Sequence, residues 1–214
     1  MVFNLARSLI KTILENHYIF GKKIKPRKTP PPKIKKWINK YKNDYVEDIL
    51  VCREPINKHI RSFMNILTLG KFDKSLKGLH YDDLFHLYIY FKVKGIYYRA
   101  EKNEVVTLSV SKKKKSDICL DLKEKKIKLG DFIKTGENYQ KDFWSYNAKS
   151  NNCQDFAVSL LVGNKIIRKN SSTYKFIKQD AEEIFRRNPK YLEQFAVTLT
   201  DIAGIFDLLK NGFK

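Results

Sequence analysis

The stretch SNNCQDFAVSLL, residues 150–161, places a thiol where a helix starts. Phe156, Ala157, Leu160 and Leu161 recur at helical spacing, and Asn152 suits the cap of that helix. Cys153 then sits in the first turn, on the apolar face. The positive end of a helix favours a thiolate, so Cys153 is a candidate nucleophile. A small buried cysteine that only packs accounts for the same position. The companion residue is His86, in LFHLYIYFKV, residues 84–93. A thiol beside an imidazole is the pairing used for acyl transfer: one attacks a carbonyl, the other moves the proton.

The elements that must position these groups are legible around them. Residues 84–93 alternate as a strand, Lys94-Gly95 is a two-residue turn signal, and IYYRAEKNEVVTLSV follows. Such a hairpin sets Val93 against Ile96, Tyr90 against Arg99, Tyr88 against Glu101 and His86 against Asn103. One face, Phe85, Leu87, Ile89, Phe91 and Val93, is apolar and must be buried. The other carries His86, Tyr88, Tyr90 and Lys92. Asn103 is then directly across from His86 and Glu101 diagonal to it, and either is within reach to orient the imidazole. ICLDL and KIKL are shorter strand candidates. EPINKHIRSFMNILTLG reads as a helix with Pro55 in its first turn and Gly70 at its end. SSTYKFIKQDAEEIFRR and NPKYLEQFAVTLTDIAGIFDLL read as two further helices, with Ser171 or Ser172 capping the first and Asn188-Pro189 the second.

A histidine strand (FHLYIYF), a polar residue on the next strand and then an NNCQDF helix resemble the circularly permuted NlpC/P60 papain-like superfamily. That group includes lecithin:retinol acyltransferase-like proteins and several large-DNA-virus proteins. Its permuted members carry the histidine strand before the cysteine helix, as here, where His86 lies 67 positions before Cys153. Its cysteine motif is an Asn-Cys pair, a polar residue and an aromatic, approximated by Asn152, Cys153, Gln154 and Phe156. The resemblance covers roughly residues 79–165. It implies an α+β, papain-like fold: an antiparallel sheet packed on a cysteine-bearing helix, here with extra N- and C-terminal helices. It also implies Cys153 as nucleophile, His86 as base and Glu101 as the residue orienting it, with no cofactor. Acyltransferase-like members often place a second histidine on the following strand. IYYRAEKN offers Glu101, or Asn103, instead. The activity expected is that of a thiol peptidase, amidase or thioesterase, or an acyltransferase.

The remainder of the chain sets the context. Residues 1–20 form an amphipathic helix in this reading, residues 21–36 a Pro/Lys-rich arm, and residues 37–214 the papain-like domain. The arm is expected to lack helix and strand. No run of about 20 apolar residues is present, so no membrane-spanning helix is expected. The net charge is +20, yet only 8 of the 43 basic residues are arginine. Lysine is the poorer group for bidentate phosphate recognition, so diffuse adhesion is expected rather than sequence-specific nucleic-acid binding. Capsid proteins or an anionic membrane surface are the partners this basic arm would suit. A second class of function follows from the same features: a catalytically silent structural protein of a large DNA virus capsid. Cys52, Cys119 and Cys153 are an odd and sparse set, which argues against a disulfide framework and for an intracellular reducing compartment, the virion among the settings. Cys52 and Cys119 lack CxxC spacing, His80 with Tyr81, Asp82 and Asp83 supplies too few ligands for a metal, and His17 and His59 look incidental.

Overall fold

A computed structural model of the protein describes residues 27–55, 65, 70–77, 85–102, 105–112, 118–122, 126–146, 151–179, 183 and 186–188. The chain divides into two compact units. One comprises Met1–Lys25, Asn57–Asp82 and Asp180–Lys214; the other comprises Pro26–Ile56 and Asp83–Gln179. In chain order the elements are α1 (Pro32–Tyr41), β1 (Tyr45–Pro55), α2 (Lys71–Leu76), β2 (Phe85–Val93), β3 (Ile96–Lys102), β4 (Val106–Val110) and β5 (Ile118–Leu122). They continue with β6 (Ile127–Lys128), α3 (Leu129–Tyr139), α4 (Cys153–Gly163) and α5 (Ser172–Ile177).

In the first unit, Gly70 adopts a left-handed φ of 75°, its N–H donates to the Asn65 carbonyl, and it stands at the start of α2. Beside α2, Asn188 Nδ2 donates to Ser75 Oγ at 2.7 Å, and Arg187 NH1 donates to the Ser75 and Lys77 carbonyls. The second helix expected near the C-terminus, the N-terminal helix and most of the helix expected between residues 54 and 70 lie outside the described residues.

The second unit is a mixed α+β structure built on an open antiparallel sheet in the order β4-β3-β2-β1-β5, with β6 also pairing with β1. The β2–β3 hairpin has the register its alternation dictates: Val93 opposite Ile96, Tyr90 opposite Arg99, Tyr88 opposite Glu101. Lys94 and Gly95 both take positive φ, 51° and 73°, which is what a two-residue turn between right-twisted strands requires. Leu87, Ile89, Phe91 and Val93 are buried, and α3 and α4 supply Leu129, Phe132, Ile133, Phe156, Leu160 and Leu161 to the same core. On the opposite face Tyr88 and Tyr90 are also buried, in a second cluster with Cys52. An alternating sequence with polar tips therefore conceals a sheet covered in part on both faces.

Three expectations change. The central strand β1 is not apparent from its own sequence, and Pro55 ends that strand instead of opening a helix. Residues 32–36, assigned to an unstructured arm, belong to α1, and Ile34 is buried in the core. Three consecutive prolines explain the start: Pro31 caps in extended conformation and Pro32 takes the first helical position, where its missing N–H costs nothing. Third, Cys52 and Cys119 are joined in a disulfide. They are directly opposed on β1 and β5, a pairing that sequence spacing does not reveal. The inference of a reducing compartment loses that basis.

Gly136 marks the closest approach of α3 to α4. A Cβ there would lie 2.7 Å from Leu160 Cδ2 and 3.3 Å from Phe143 Cε2. Leu160 is fully buried, among the largest such side chains of the core. Alanine gains about 1 kcal/mol of helix propensity over glycine, but overpacking a closed core costs about 1–3 kcal/mol. Gly136→Ala is therefore expected to lower the urea-unfolding midpoint, and a raised midpoint would show that the two helices separate freely.

Candidate active site

The start of α4 is built by Asn152. Its side-chain oxygen accepts from the N–H groups of Gln154 and Asp155, while its own N–H donates to Asp155 Oδ2 at 3.2 Å. This reciprocal cap fixes the first turn and does not use the Cys153 N–H. Lys178 of the segment after α5 pairs with Asp155. Asn151, one residue before the cap, is buried and held from both ends. Its oxygen accepts from Lys102 Nζ at 2.5 Å and Gln140 Nε2 at 2.9 Å, and its amide donates to the carbonyls of Asp142 and Ser145. Burial pushes Lys102 down to about 7, against the raising influence of Asp155, Cys153 and Asp142.

His86 comes from the start of β2 and Glu101 from β3. Glu101 pairs in register with Tyr88, so it is the diagonal neighbour of His86. His86 Nε2 lies 3.0 Å from Glu101 Oε2. Cys153 also acts on the ring, through its charge and a hydrogen bond. The thiol also receives the backbone N–H of Leu87. The imidazole thus interacts with a sulfur and with a carboxylate.

The charges of these groups reinforce each other. Burial alone would lower the His86 pKa, but Cys153 and Glu101 outweigh it and raise it to about 10. Burial alone would raise the Cys153 pKa, but the His86 charge, the His86 hydrogen bond and the Leu87 N–H bring it below the usual thiol range. Glu101 is brought down to about 2, against burial, by His86 and Arg99. Each group thus favours the charged form of its neighbour: thiolate, imidazolium and ionised carboxylate.

Glu101 is itself held. Arg99 NH2 donates to Glu101 Oε2 and to Glu54 Oε1, each at 2.9 Å, and its guanidinium carbon lies 3.7 Å from the centroid of the Tyr88 ring. Burial would lower the Arg99 pKa, and the two carboxylates raise it. Strand alternation carries the signal for this role, since Arg99 is two residues from Glu101 and on the same face.

No known family model, curated protein or solved structure matches the chain. The chemistry must therefore be argued from the side chains themselves. Cys153, His86 and Glu101, named from the sequence, are brought together. Asn103, the alternative third residue, lies outside the described residues, as do His17, His59, His80, Tyr81, Asp82 and Asp83. Among the described residues no group of His, Cys, Asp and Glu side chains is arranged to hold a metal ion. No helix among them is long and apolar enough to cross a membrane.

Sequence reasoning missed the clamp that sets the distance between thiol and imidazole. Gln154, next to Cys153, and Gln179, after α5, are both buried. Gln154 Nε2 donates to Gln179 Oε1 at 3.1 Å, and Gln179 N–H donates to Gln154 Oε1 at 2.8 Å. The same Gln179 oxygen accepts the N–H of Phe85, the neighbour of His86, at 3.0 Å. One side-chain amide therefore ties the side chain of the residue after the nucleophile to the backbone beside the base. Gln154 was visible as a motif position, but nothing local marks Gln179.

Proposed function

We propose that this chain is a cysteine-dependent hydrolase or acyltransferase, of the peptidase, amidase or thioesterase type, on a permuted NlpC/P60 papain-like fold. The observation that carries the reading is the His86 ring, which is 3.0 Å from Glu101 and shares a hydrogen bond with Cys153. The order of parts also supports it: histidine strand, carboxylate on the next strand, then the cysteine helix against the sheet.

The Cys153 thiolate attacks the acyl carbon and a C–S bond forms. The oxygen of that carbonyl, briefly anionic, lies near the start of α4, where the Cys153 N–H can donate to it. The tetrahedral centre collapses, the bond to the leaving group breaks, and His86 gives that group its proton. Neutral His86 then takes a proton from water, which attacks the thioester and releases the acid and the thiolate. Another nucleophile in place of water makes the same sequence an acyl transfer. Glu101 stays ionised and holds the ring in place.

The test is acyl trapping. Mixed with an activated aryl ester, the protein is expected to release one equivalent of phenol in a burst, with the acyl mass located on Cys153. Cys153→Ala removes burst and turnover. A protein that gives no burst and alkylates Cys153 no faster than an ordinary thiol at neutral pH would be a structural chain that keeps the geometry without the activity.

A further inference from the structure

Two arginines on the strands of the site, Arg99 on β3 and Arg53 on β1, have different partners. Arg99 is paired with two carboxylates through NH2, although its Nε, like that of Arg53, has no hydrogen-bond partner. Arg53 lies on β1 directly opposite Leu87, whose N–H reaches the Cys153 sulfur. Its guanidinium carbon is 4.4 Å from the centroid of the Phe85 ring and 4.2 Å from that of Phe176. Two aromatic rings against the guanidinium carbon favour its N–H edge for ligands. Among the described residues no carboxylate pairs with Arg53, and its buried Nε has no hydrogen-bond partner. Burial pushes its pKa down, with no opposing charge. The adjacent Glu54 points to the other face of the strand, where Arg99 engages it. A buried donor left unmade is costly, and one with a planar, preorganised fork has an obvious complement.

Both rings belong to the machinery of the site. Phe85 precedes His86, and its N–H is held by Gln179. Phe176 is on α5, three residues before Gln179. The aromatic slot is therefore built from the same two segments that fix the distance between nucleophile and base.

We propose that Arg53 is a substrate-anchoring residue that binds a planar carboxylate carried by the acyl substrate of Cys153. The assignment rests on the reading of Cys153 as nucleophile. It narrows the substrate class to acidic acyl compounds, such as a peptide or amide with a free carboxylate close to the bond attacked. A carboxylate is the planar complement of the guanidinium fork, meeting it with two parallel hydrogen bonds.

The experiment compares thiol reagents of different charge and reach on the full chain: neutral N-ethylmaleimide, then 3-maleimidopropionate and 6-maleimidohexanoate, whose carboxylates sit on a shorter and a longer tether. At neutral pH at least one carboxylate reagent is expected to label Cys153 on the order of tenfold faster than N-ethylmaleimide, the effect of one charge-assisted hydrogen bond. Arg53→Met should bring that rate down to the N-ethylmaleimide rate of the same variant, and Arg53→Lys, which keeps the charge but not the fork, should retain part of the preference. Equal rates for all three reagents in the wild type, or a preference that survives Arg53→Met, overturn the proposal. Slow labelling by every reagent, with an ordinary thiol pH profile, overturns the nucleophile reading and the anchoring role with it.

Discussion

Replacing His86 with alanine is expected to slow alkylation of Cys153 by on the order of 100-fold at about pH 6, where an ordinary thiol of pKa near 8.5 is less than about 1% ionised. In the wild type the imidazolium beside Cys153 favours its thiolate and lowers its pKa. The variant keeps the Leu87 N–H and the end of α4, so some of the lowering survives. The measurement is alkylation rate against pH, with the modified residue identified by mass. Identical profiles for wild type and His86→Ala would mean that the two side chains do not form a working pair.

The alkaline side carries a second, signed consequence. The folded His86 pKa, about 10, lies above its unfolded value. The stability it supplies is present in full below that unfolded value and is lost as pH rises through about 10. Cys153 runs the other way: its lowered pKa supplies stability above the ordinary thiol range, lost as pH falls through the folded value. Turnover needs both partners charged, so it should rise on the acid side with the thiolate and fall on the alkaline side as His86 loses its proton. Glu101→Gln removes one of the two groups holding that proton, so its falling limb should move to lower pH while its rising limb moves less. The same movement of both limbs would show that the substitution had disturbed the fold and not the ring.

Much of this site could be read from local chemistry, and the unread part was long-range. Asn152 announces a cap, Cys153 the first turn, and Lys94-Gly95 a hairpin whose register then places Glu101 diagonal to His86. Each signal acts over a few residues, where backbone geometry leaves little choice. β1 fails that test. Glu47, Asp48, Arg53 and Glu54 break its alternation, so a strand central to the sheet looks like a polar loop. Its acids are spent on partners far along the chain: Tyr97 OH donates to Asp48 at 2.6 Å, and Arg99 to Glu54. Gln179 is the clearest case. It lies 94 positions beyond the Phe85 N–H it accepts, and no period or cap connects them. Arg53 shows the same limit from the other side. An arginine in a basic chain carries no signal until Phe85 and Phe176 are seen closing on it.

The disulfide carries the largest expected change in stability. Cys52 and Cys119 are cross-strand neighbours on β1 and β5, and their bond closes a loop spanning 67 positions. That loop contains β2, β3 and β4, and so both His86 and Glu101. Restricting the unfolded chain over such a loop stabilises the fold by about 4 kcal/mol on the chain-entropy account. Added dithiothreitol should lower the urea midpoint accordingly. The double variant Cys52→Ala, Cys119→Ala should sit at or slightly below the reduced wild type, because Cys52 is buried and its side chain leaves a small void. Cys153, which takes no part in the bond, should keep its low-pH reactivity in the folded fraction of both. If the midpoint is the same with and without reductant, the two sulfurs are not bonded in solution. If Cys153 instead loses its reactivity on reduction below the unfolding transition, β2 needs the cross-link to hold His86 in place, and the disulfide acts on the site as well as on the fold.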